Sequence, residues 1–516
     1  MCAMMTDDLL RRAFLARTGR YLALTAASPF WALGQPPRST NPFTLGVASG
    51  DPEPHGVVLW TRLAPDPLNG GGMPRERVEV DWQVASDEQM TRVVVRGRAT
   101  ATPDLAHSVH VEVNGLEPAR WYWYRFKAGP HESTVGRTRT APDPRKATDR
   151  LRFAFASCQN FQTGYFTAYE HMAKDDLDLV VHLGDYIYEG PARDGLPRKH
   201  DGPEPMTLNA YRNRHALYRT DPDLQRAHAL FPWIVTWDDH EVENNYANDI
   251  SEDNAPRTEF LERRAGAYQA YYEHMPLRRT SLPKGSSLLL YRRLAFGDLA
   301  EFSVLDTRQY RSDQPCGDGT KVGCVQAASP SQTILGPEQE RWFLDGLTRS
   351  RARWNIVANQ VAMMQIDHKL GPEIALSMDK WDGYQVERAR VLHQIAERRI
   401  SNAVVITGDI HSNWVGDLKV DFNDPKSPII GTEFIGSSIT SGADGTDTTP
   451  ATEAFLPDNP HIHFFNAQRG YVLCTVTPKQ WRTDYRVLSF VTRPGSPVAT
   501  RASFVVESGR PGAQKA

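Results

Sequence analysis

Side chains that can bind metal ions follow five apolar runs of the sequence, each at the point where the run ends. One such ending is ordinary, but five endings that together offer Cys, Asp, Tyr, His and Asn favour a metal centre over chance capping. In open sheets covered by helices, sites form at the strand ends. The runs and their following residues are LRFAFAS before Cys158, LDLVVHL before Asp185, WIVT before Asp238, Asp239 and His240, WNIVAN at Asn359 with Gln360, and NAVVITG before Asp409 and His411.

The stretch VVHLGDYIYEG brings an acid and a phenol to one edge of the predicted sheet. Asp185 ends the apolar run, and Tyr188 follows three residues later. A carboxylate at this place can cap a turn, and a tyrosine can simply pack. Beside the other strand endings, a shared role for Asp185 and Tyr188 in a metal site is the stronger interpretation.

The elements that must position these residues form two predicted domains. From Leu151 onward the apolar runs alternate with helical segments such as GPEQERWFLDGLTR, which indicates an α/β fold with helices layered over buried strands. Residues 41–143 instead show short alternating strands and turns, typical of an Ig-like β-sandwich. We therefore expect a β-sandwich over residues 41–143, a catalytic domain over 150–490 and a C-terminal tail over 491–516, whose last residues, SGRPGAQKA, are expected to be frayed.

Composition bounds the class of protein. The 516 residues exceed one ordinary domain, and 40% hydrophobic residues can bury a large core. Lys and Arg number 59 against 62 Asp and Glu, a formal charge of −3, so no nucleic-acid-binding surface is expected. No segment is long and apolar enough to suggest a stable membrane span.

The ordered motifs resemble the calcineurin-like metallophosphoesterases and, more closely, the alkaline phosphatase D (PhoD) family. The motifs that carry this resemblance are SCQN, GDYIYE, WDDHEVENN, LDTRQYRSDQPC, KWDGY and GDIHSNW, together with FTLGVASGDPEPHGVVLWTRL near the N-terminus. The resemblance covers roughly residues 42 to 480. It implies a metallophosphoesterase α/β/β/α sandwich behind the β-sandwich, and an exported phosphomono- and diesterase with iron and calcium in its site.

The resemblance also implies a role for each strand-end residue. Asp185 is expected to bridge two cations, and Tyr188 to bind Fe³⁺ as a phenolate. Cys158 stands where the superfamily usually has Asp, and a thiolate can bind iron; a free buried Cys is the plainer alternative. His411 is expected to complete the iron ligands.

The second metal position is expected to be rich in oxygen ligands. Asp239 and Asp409 replace the neutral Asn and His of the superfamily motifs, and carboxylates favour Ca²⁺ over Zn²⁺. Asn359 stands where the superfamily has a lone His. Two alternatives stay open: Asp238 in place of Asp239, and Gln360 in place of Asn359.

Other polar residues near the motifs have more open roles. His240 is expected to protonate the leaving group, or else to orient a ligand. Arg308 and Arg311 could clamp phosphate oxygens or form structural salt bridges, and Trp381 and Tyr384 could wall the pocket or pack a loop. The expected supporting residues around the ligands are Glu241, Asn244 and Asn245.

The expected reaction is metal-assisted in-line displacement at phosphorus by a metal-bound water or oxide. No Ser stands in a G-x-S-x-G elbow, so no covalent protein nucleophile is expected. One alternative is a preference for phosphodiesters with a phospholipase-D-like outcome. Another is a non-catalytic binding protein that uses the β-sandwich.

The N-terminus resembles a twin-arginine export signal over residues 1–36, with Arg11–Arg12 ahead of a weakly apolar run. We therefore expect the twin-arginine (Tat) export machinery as a partner, and a periplasmic or secreted product. In that oxidising setting Cys316 and Cys324, at the two ends of CGDGTKVGC, are expected to form a disulfide. Cys474 in GYVLCTV is expected to be an inert buried thiol.

Overall fold

The computed structural model describes residues 40–516, so the predicted export signal over residues 1–36 lies outside the described residues. The described residues form eight strands before Leu151 and sixteen from Leu151 onward. The first eight are β1 Val47–Glu53, β2 Gly56–Arg62, β3 Val78–Ala85, β4 Val93–Ala101, β5 Ser108–Asn114, β6 Trp121–Ala128, β7 His131–Glu132 and β8 Gly136–Arg139.

The strands after Leu151 include every apolar run singled out above. They are β9 Leu151–Ala156, β10 Leu179–Leu183, β11 Pro232–Thr236, β12 Arg292–Phe296, β13 Ala300–Val304, β14 Thr320–Val322, β15 Trp354–Ala358, β16 Ala375–Ser377, β17 Ala403–Thr407, β18 Asn413–Lys419, β19 Ile429–Ile435, β20 Ile462–Asn466, β21 Gly470–Val476, β22 Gln480–Leu488, β23 Val498–Glu507 and β24 Arg510–Lys515.

The helices include GPEQERWFLDGLTR, which the sequence pattern predicted as helical. Over the described residues they are α1 Thr167–Met172, α2 Leu208–Arg219, α3 Pro222–Leu230, α4 Arg257–His274, α5 Gly336–Arg349, α6 Gln385–Glu397 and α7 Pro450–Phe455. The helices α2 and α3 begin at side-chain caps, Thr207 and Asp221, which accept hydrogen bonds from the first free backbone N–H groups. No helix over residues 40–516 is long and apolar enough to cross a membrane.

Two large mixed sheets form the centre of the molecule. The ten-stranded sheet has the order β24-β23-β22-β21-β9-β10-β11-β1-β2-β5, and the seven-stranded sheet has the order β12-β13-β15-β17-β19-β18-β20. Strands β9, β10 and β11 run parallel to one another, as do β13, β15, β17 and β19. The carboxyl ends of these parallel strands therefore point the same way within each sheet.

Apolar side chains between the sheets and on their outer faces make this an α/β/β/α sandwich. One core cluster joins Phe153 and Val181 of the first sheet to Phe302 and Ile356 of the second. A second cluster packs helices α2 to α4 over the outer face of the ten-stranded sheet, and a third packs α5 and α6 over the other sheet. The fold class predicted from the sequence is confirmed.

The N-terminal β-sandwich is built partly from strands of the central sheet. Strands β3, β4, β6, β7 and β8 form a separate five-stranded sheet, whose inner residues Val80 and Tyr124 pack against Val57 of β2 and Val111 of β5. Because β1 also pairs with β11, the sandwich and the predicted catalytic domain share one sheet. Residues from Asn41 to Ala516 form one unit. The predicted boundary at residues 143–150 stays a prediction.

The prediction that the last residues, 508–516, are frayed is wrong. Strand β23 pairs with β22 and buries Ala502, Phe504 and Val506 on one face, while β24 closes the sheet edge against β23. The Gly- and Pro-containing end suggested a frayed terminus, but backbone pairing to an existing edge and one buried apolar face outweigh local composition.

The cysteine predictions outside the site agree with the structure. Cys316 and Cys324 form a disulfide with sulfur atoms 2.06 Å apart. Cys474 is fully buried in β21, where burial raises the pKa of its thiol. It is therefore a packing residue of low reactivity.

Candidate metal centre

The candidate centre lies where the parallel strands of both sheets end. From the ten-stranded sheet, β9 leads to Cys158, β10 to Asp185 and β11 to the segment 238–240. From the seven-stranded sheet, β15 leads to Asn359 and β17 to the segment 409–411. Stacking of the two sheets brings these five ends together, as the sequence predicted from the strand endings alone.

Two overlapping sets of possible ligand atoms lie at these ends. The side chains of Cys158, Asp185 and His411 offer ligand atoms within 4.8 Å of one another, and so do those of Asp185, Asp239 and His240. Asp185 belongs to both sets. Its position therefore fits the bridging role that the resemblance implies.

Four of the candidate ligands have a strained backbone. Cys158, Asp185, Asp409 and His411 have φ angles of 58°, 55°, 63° and 57°, in the left-handed region that residues other than Gly rarely adopt. Strained residues persist only where the surrounding structure holds them, and they cluster at functional sites. The strand-end turns thus direct these side chains inward at an energetic cost.

Tyr188 joins Asp185 to His411. Its hydroxyl donates to Asp185 Oδ2 at 2.9 Å and lies 3.1 Å from His411 Nε2. The other carboxylate oxygen, Asp185 Oδ1, is buried without a hydrogen-bond partner among residues 40–516. Buried polar atoms are almost always satisfied, so this oxygen is an acceptor available to a cation.

The charges around this first position also fit a metal ion. Burial raises the pKa of Cys158, Asp185 and Tyr188 well above their ordinary values, and each is raised further by a neighbouring acidic group. Burial, followed by the charge of Arg469, lowers the pKa of His411 to about 3, which keeps the imidazole in its neutral, ligating form. A bound cation would reverse the unfavourable ionisation of the thiol, carboxylate and phenol.

The second predicted position contains Asp239, Asn359 and Asp409, and the structure brings them together less completely. Asp239 lies beside Asp185, and its Oδ2 accepts a hydrogen bond of 2.7 Å from the backbone N–H of Asn245. Asp409 belongs to neither set of close ligand atoms over the described residues and instead forms an ion pair with Lys380. Both carboxylates nevertheless face the same cluster of buried charges.

The structure separates the two amide candidates after β15. Gln360 is fully used in packing: its Oε1 accepts from Thr307 Oγ1 at 2.7 Å, and its Nε2 donates to Thr236 Oγ1 at 2.9 Å. Asn359 Oδ1 accepts a single hydrogen bond, from Trp381 Nε1 at 3.2 Å. Asn359 therefore retains a lone pair for a cation, which Gln360 does not.

Asp238 is held by a buried ion-pair network. Its Oδ1 accepts from Arg308 Nε at 2.5 Å, and the same guanidinium donates twice to Asp379, at 2.8 Å each. Arg311 donates to Asp379 Oδ1 at 2.6 Å. Because both arginines are fully buried in these pairs, they form structural salt bridges and do not reach out as a phosphate clamp.

Glu189, the last acidic residue of the VVHLGDYIYEG stretch, is the partner of His240. Its Oε2 lies 2.7 Å from His240 Nδ1, and its Oε1 accepts from the backbone N–H of Asn244 at 2.9 Å. Burial alone lowers the pKa of His240, but the charges of Glu189, Asp239 and Asp185 outweigh it and raise the pKa well above its ordinary value. The direction of this shift favours the protonated imidazole, which is the form that can donate a proton.

Glu241 supports the ligand loops, as expected. Its carboxylate accepts from the backbone N–H groups of Asp185 at 3.1 Å and Asp238 at 2.9 Å, which ties the two strand ends together. Trp381 and Tyr384 are fully buried in the core beside α6, so they pack a loop and do not wall a pocket. Lys380, the neighbour of Trp381, had no role in the sequence interpretation although it lies in the same KWDGY motif.

Comparisons with known proteins agree with the fold. The family model of the PhoD-like phosphatase matches residues 153–485, and that of its N-terminal domain matches residues 26–142. The chain thus belongs to the PhoD-like phosphatase family and is a phosphoric ester hydrolase. The alternative of a non-catalytic binding protein is therefore wrong.

One relative is similar to this chain in sequence, and one solved structure is similar to it in fold. The chain is 53% identical over 517 residues to alkaline phosphatase D of Bacillus subtilis (strain 168). The aligned region covers 98% of this chain and 89% of the relative. A solved structure described as the structure of PhoD superposes with a TM-score of 0.91 at 54% identity and covers 93% of each chain.

Proposed function

We propose that this phosphatase is metal-dependent and that it hydrolyses both phosphomonoesters and phosphodiesters. The observation that carries the proposal is the buried, unpartnered Asp185 Oδ1, on a residue shared by two sets of close ligand atoms. The proposed Fe³⁺ ligands are Cys158, Asp185, Tyr188 and His411, and the proposed Ca²⁺ ligands are Asp185, Asp239, Asn359 and Asp409.

The types of ligand support this division of metals. Thiolate, phenolate and imidazole donors suit a transition metal, whereas carboxylate and amide oxygens suit calcium. When bound, the two cations would supply Lewis-acid polarisation of the phosphate and activation of the attacking water. The choice of Asn359 over Gln360 rests on the single hydrogen bond that Asn359 Oδ1 accepts, whereas Gln360 Oε1 accepts two. The choice of Asp239 over Asp238 rests on the position of Asp239 in one set of close ligand atoms with Asp185.

His240 supplies the proton for the departing oxygen in this proposal. Glu189 holds its Nδ1 at 2.7 Å, which leaves Nε2 as the nitrogen that can face the leaving group. The ring centroid lies 4.1 Å from that of Tyr188, with the two planes tilted by 31°, so the imidazole is contacted from two sides. An alkyl ester needs this proton, because an unprotonated alkoxide leaves poorly.

A leaving-group series tests the role of His240. His240→Ala should lower kcat by about 10²–10⁴-fold for an alkyl phosphate and much less for p-nitrophenyl phosphate, whose leaving group departs without protonation. Metal content, measured by elemental analysis, should be unchanged. Equal losses for both substrates would show that His240 does not donate the proton.

Metal removal tests the calcium position. Chelation of calcium with EGTA should abolish hydrolysis of p-nitrophenyl phosphate and bis-p-nitrophenyl phosphate, and added Ca²⁺ should restore both. The protein's iron, measured by elemental analysis, should remain. Full activity in calcium-free protein would refute the proposed role of Asp239, Asn359 and Asp409.

We also propose that the enzyme is exported by the twin-arginine route and acts in the periplasm or outside the cell. The support is Arg11–Arg12 with the weakly apolar run that follows. Replacing both arginines by lysine should retain the protein in the cytoplasm. Normal export of that variant would favour an ordinary secretory signal.

A further inference from the structure

Lys380 is a charged residue of the centre that the proposed reaction does not use. Its ammonium group forms an ion pair with Asp409 Oδ2 and lies 3.6 Å from Asp379 Oδ2. The side chain of Lys380 is 16% exposed, so solvent reaches part of it. A positive charge placed on a proposed calcium ligand must interact with whatever cation and anion bind there.

The backbone next to Lys380 is held in place by its neighbour Trp381. The next residue, Trp381, is fully buried, its backbone N–H donates to Ala362 O at 3.2 Å, and its indole donates to Asn359 Oδ1 at 3.2 Å. These contacts tie the Lys380 backbone to the strand end that carries Asn359. Movement is left to the flexible four-carbon side chain.

The other nearby cation cannot move in the same way. Arg308 is fully buried and held by Asp238 and by both oxygens of Asp379. Asp379 already accepts hydrogen bonds from Arg308, Arg311 and Gln314, and at 3.6 Å it is the more distant of the two carboxylates beside Lys380. Lys380 is therefore the cation that can leave its carboxylate.

We propose that Lys380 is the counter-ion of Asp409 until a divalent cation binds that carboxylate, and that it then anchors a phosphate oxygen of the substrate. The inference rests on the proposed function, which makes Asp409 a calcium ligand. An ammonium group and a divalent cation compete for the same oxygen, and the bound phosphate brings a negative charge that, unlike Asp379, is not already paired with two arginines. Lysine binds phosphate as a point charge, without a fixed geometry.

Two binding constants that change in opposite directions test the proposal. Calorimetry on iron-loaded, calcium-free protein would measure the Kd for Ca²⁺, and a second titration in saturating Ca²⁺ would measure the Kd for inorganic phosphate. Lys380→Met should bind Ca²⁺ more tightly and phosphate more weakly, each by about 10- to 100-fold, the size expected for one charge-assisted contact. A purely structural role would weaken both.

Matched variants keep the test decisive. Lys380→Arg keeps the charge and should retain phosphate affinity, and Lys369→Met, which removes an exposed lysine paired with Glu373, should change neither constant. Lys380→Gln is the second neutral variant if Lys380→Met does not give a native circular-dichroism spectrum. An unchanged Kd for Ca²⁺ or for phosphate in the neutral variant would overturn the inference, whereas a wild-type protein that binds no Ca²⁺ would refute the proposed calcium position itself.

Discussion

The strand that ends at Asp185 carries a histidine whose burial should make the fold sensitive to acid. His182 lies in β10, is 1% exposed and has no hydrogen-bond partner for either ring nitrogen among residues 40–516. Its ring stacks on Trp233 and meets the edge of Tyr186, both apolar surfaces. Burial lowers the pKa of His182 to about 3.

The size of the effect follows from proton linkage. The unfolded chain binds a proton at His182 with a pKa of about 6.5, whereas the folded protein binds it only near 3. The contribution of the neutral ring to stability is therefore complete above pH 6.5 and is lost progressively as the pH falls toward 3. At pH 5 this one group lowers the free energy of unfolding by about 2 kcal/mol relative to pH 8.

His182→Phe should remove that loss, because Phe keeps the aromatic contacts and does not titrate. The measurement is the free energy of unfolding by urea at pH 8 and pH 5, in the wild type and the variant. The difference between the two pH values should be smaller by about 2 kcal/mol in His182→Phe. His393→Phe, at an exposed histidine of α6, is the control and should leave the difference unchanged. An equal pH dependence in wild type and His182→Phe would refute the reasoning.

Three further changes test other contacts of the centre. Tyr188→Phe should remove the phenolate contribution to the visible charge-transfer absorption of the purified protein and lower its iron content; an unchanged spectrum with full iron content would exclude Tyr188 as a ligand. Glu189→Gln should lower kcat for an alkyl phosphate by about 10-fold at unchanged metal content, because His240 loses the carboxylate that holds it. Arg308→Met should reduce the free energy of unfolding by about 3–5 kcal/mol, since it leaves Asp238 and Asp379 buried without their guanidinium; a loss below 1 kcal/mol in chemical denaturation would contradict this.

The sequence by itself determined the strands and the ends that carry the chemistry. Apolar runs of four to seven residues with helical segments between them indicate the buried strands of an α/β fold, and in such folds the sites form at the strand ends. The α/β class, the β-sandwich and the order of the motifs followed from this local patterning. Composition misled at the C-terminus, where β23 and β24 gain their stability by extending the ten-stranded sheet from the edge of β22.

Only the tertiary structure decided which side chains have partners. The pairs Glu189–His240, Lys380–Asp409 and Arg308–Asp238 join residues far apart in the chain, and sequence patterning carries no signal for such long-range choices. The same is true of the sharing of β1, β2 and β5 between the sandwich and the central sheet.

The end of β15 shows the physical reason most clearly. Asn359 and Gln360 are adjacent amides that the sequence could not separate, since either could end the strand beside the metals. Hydrogen bonds with Thr236 and Thr307 occupy the side-chain amide of Gln360. Asn359 Oδ1 accepts one hydrogen bond and therefore keeps a free lone pair. Local pattern thus fixes where the polar residues lie along the chain, whereas long-range packing fixes which of their atoms remain available.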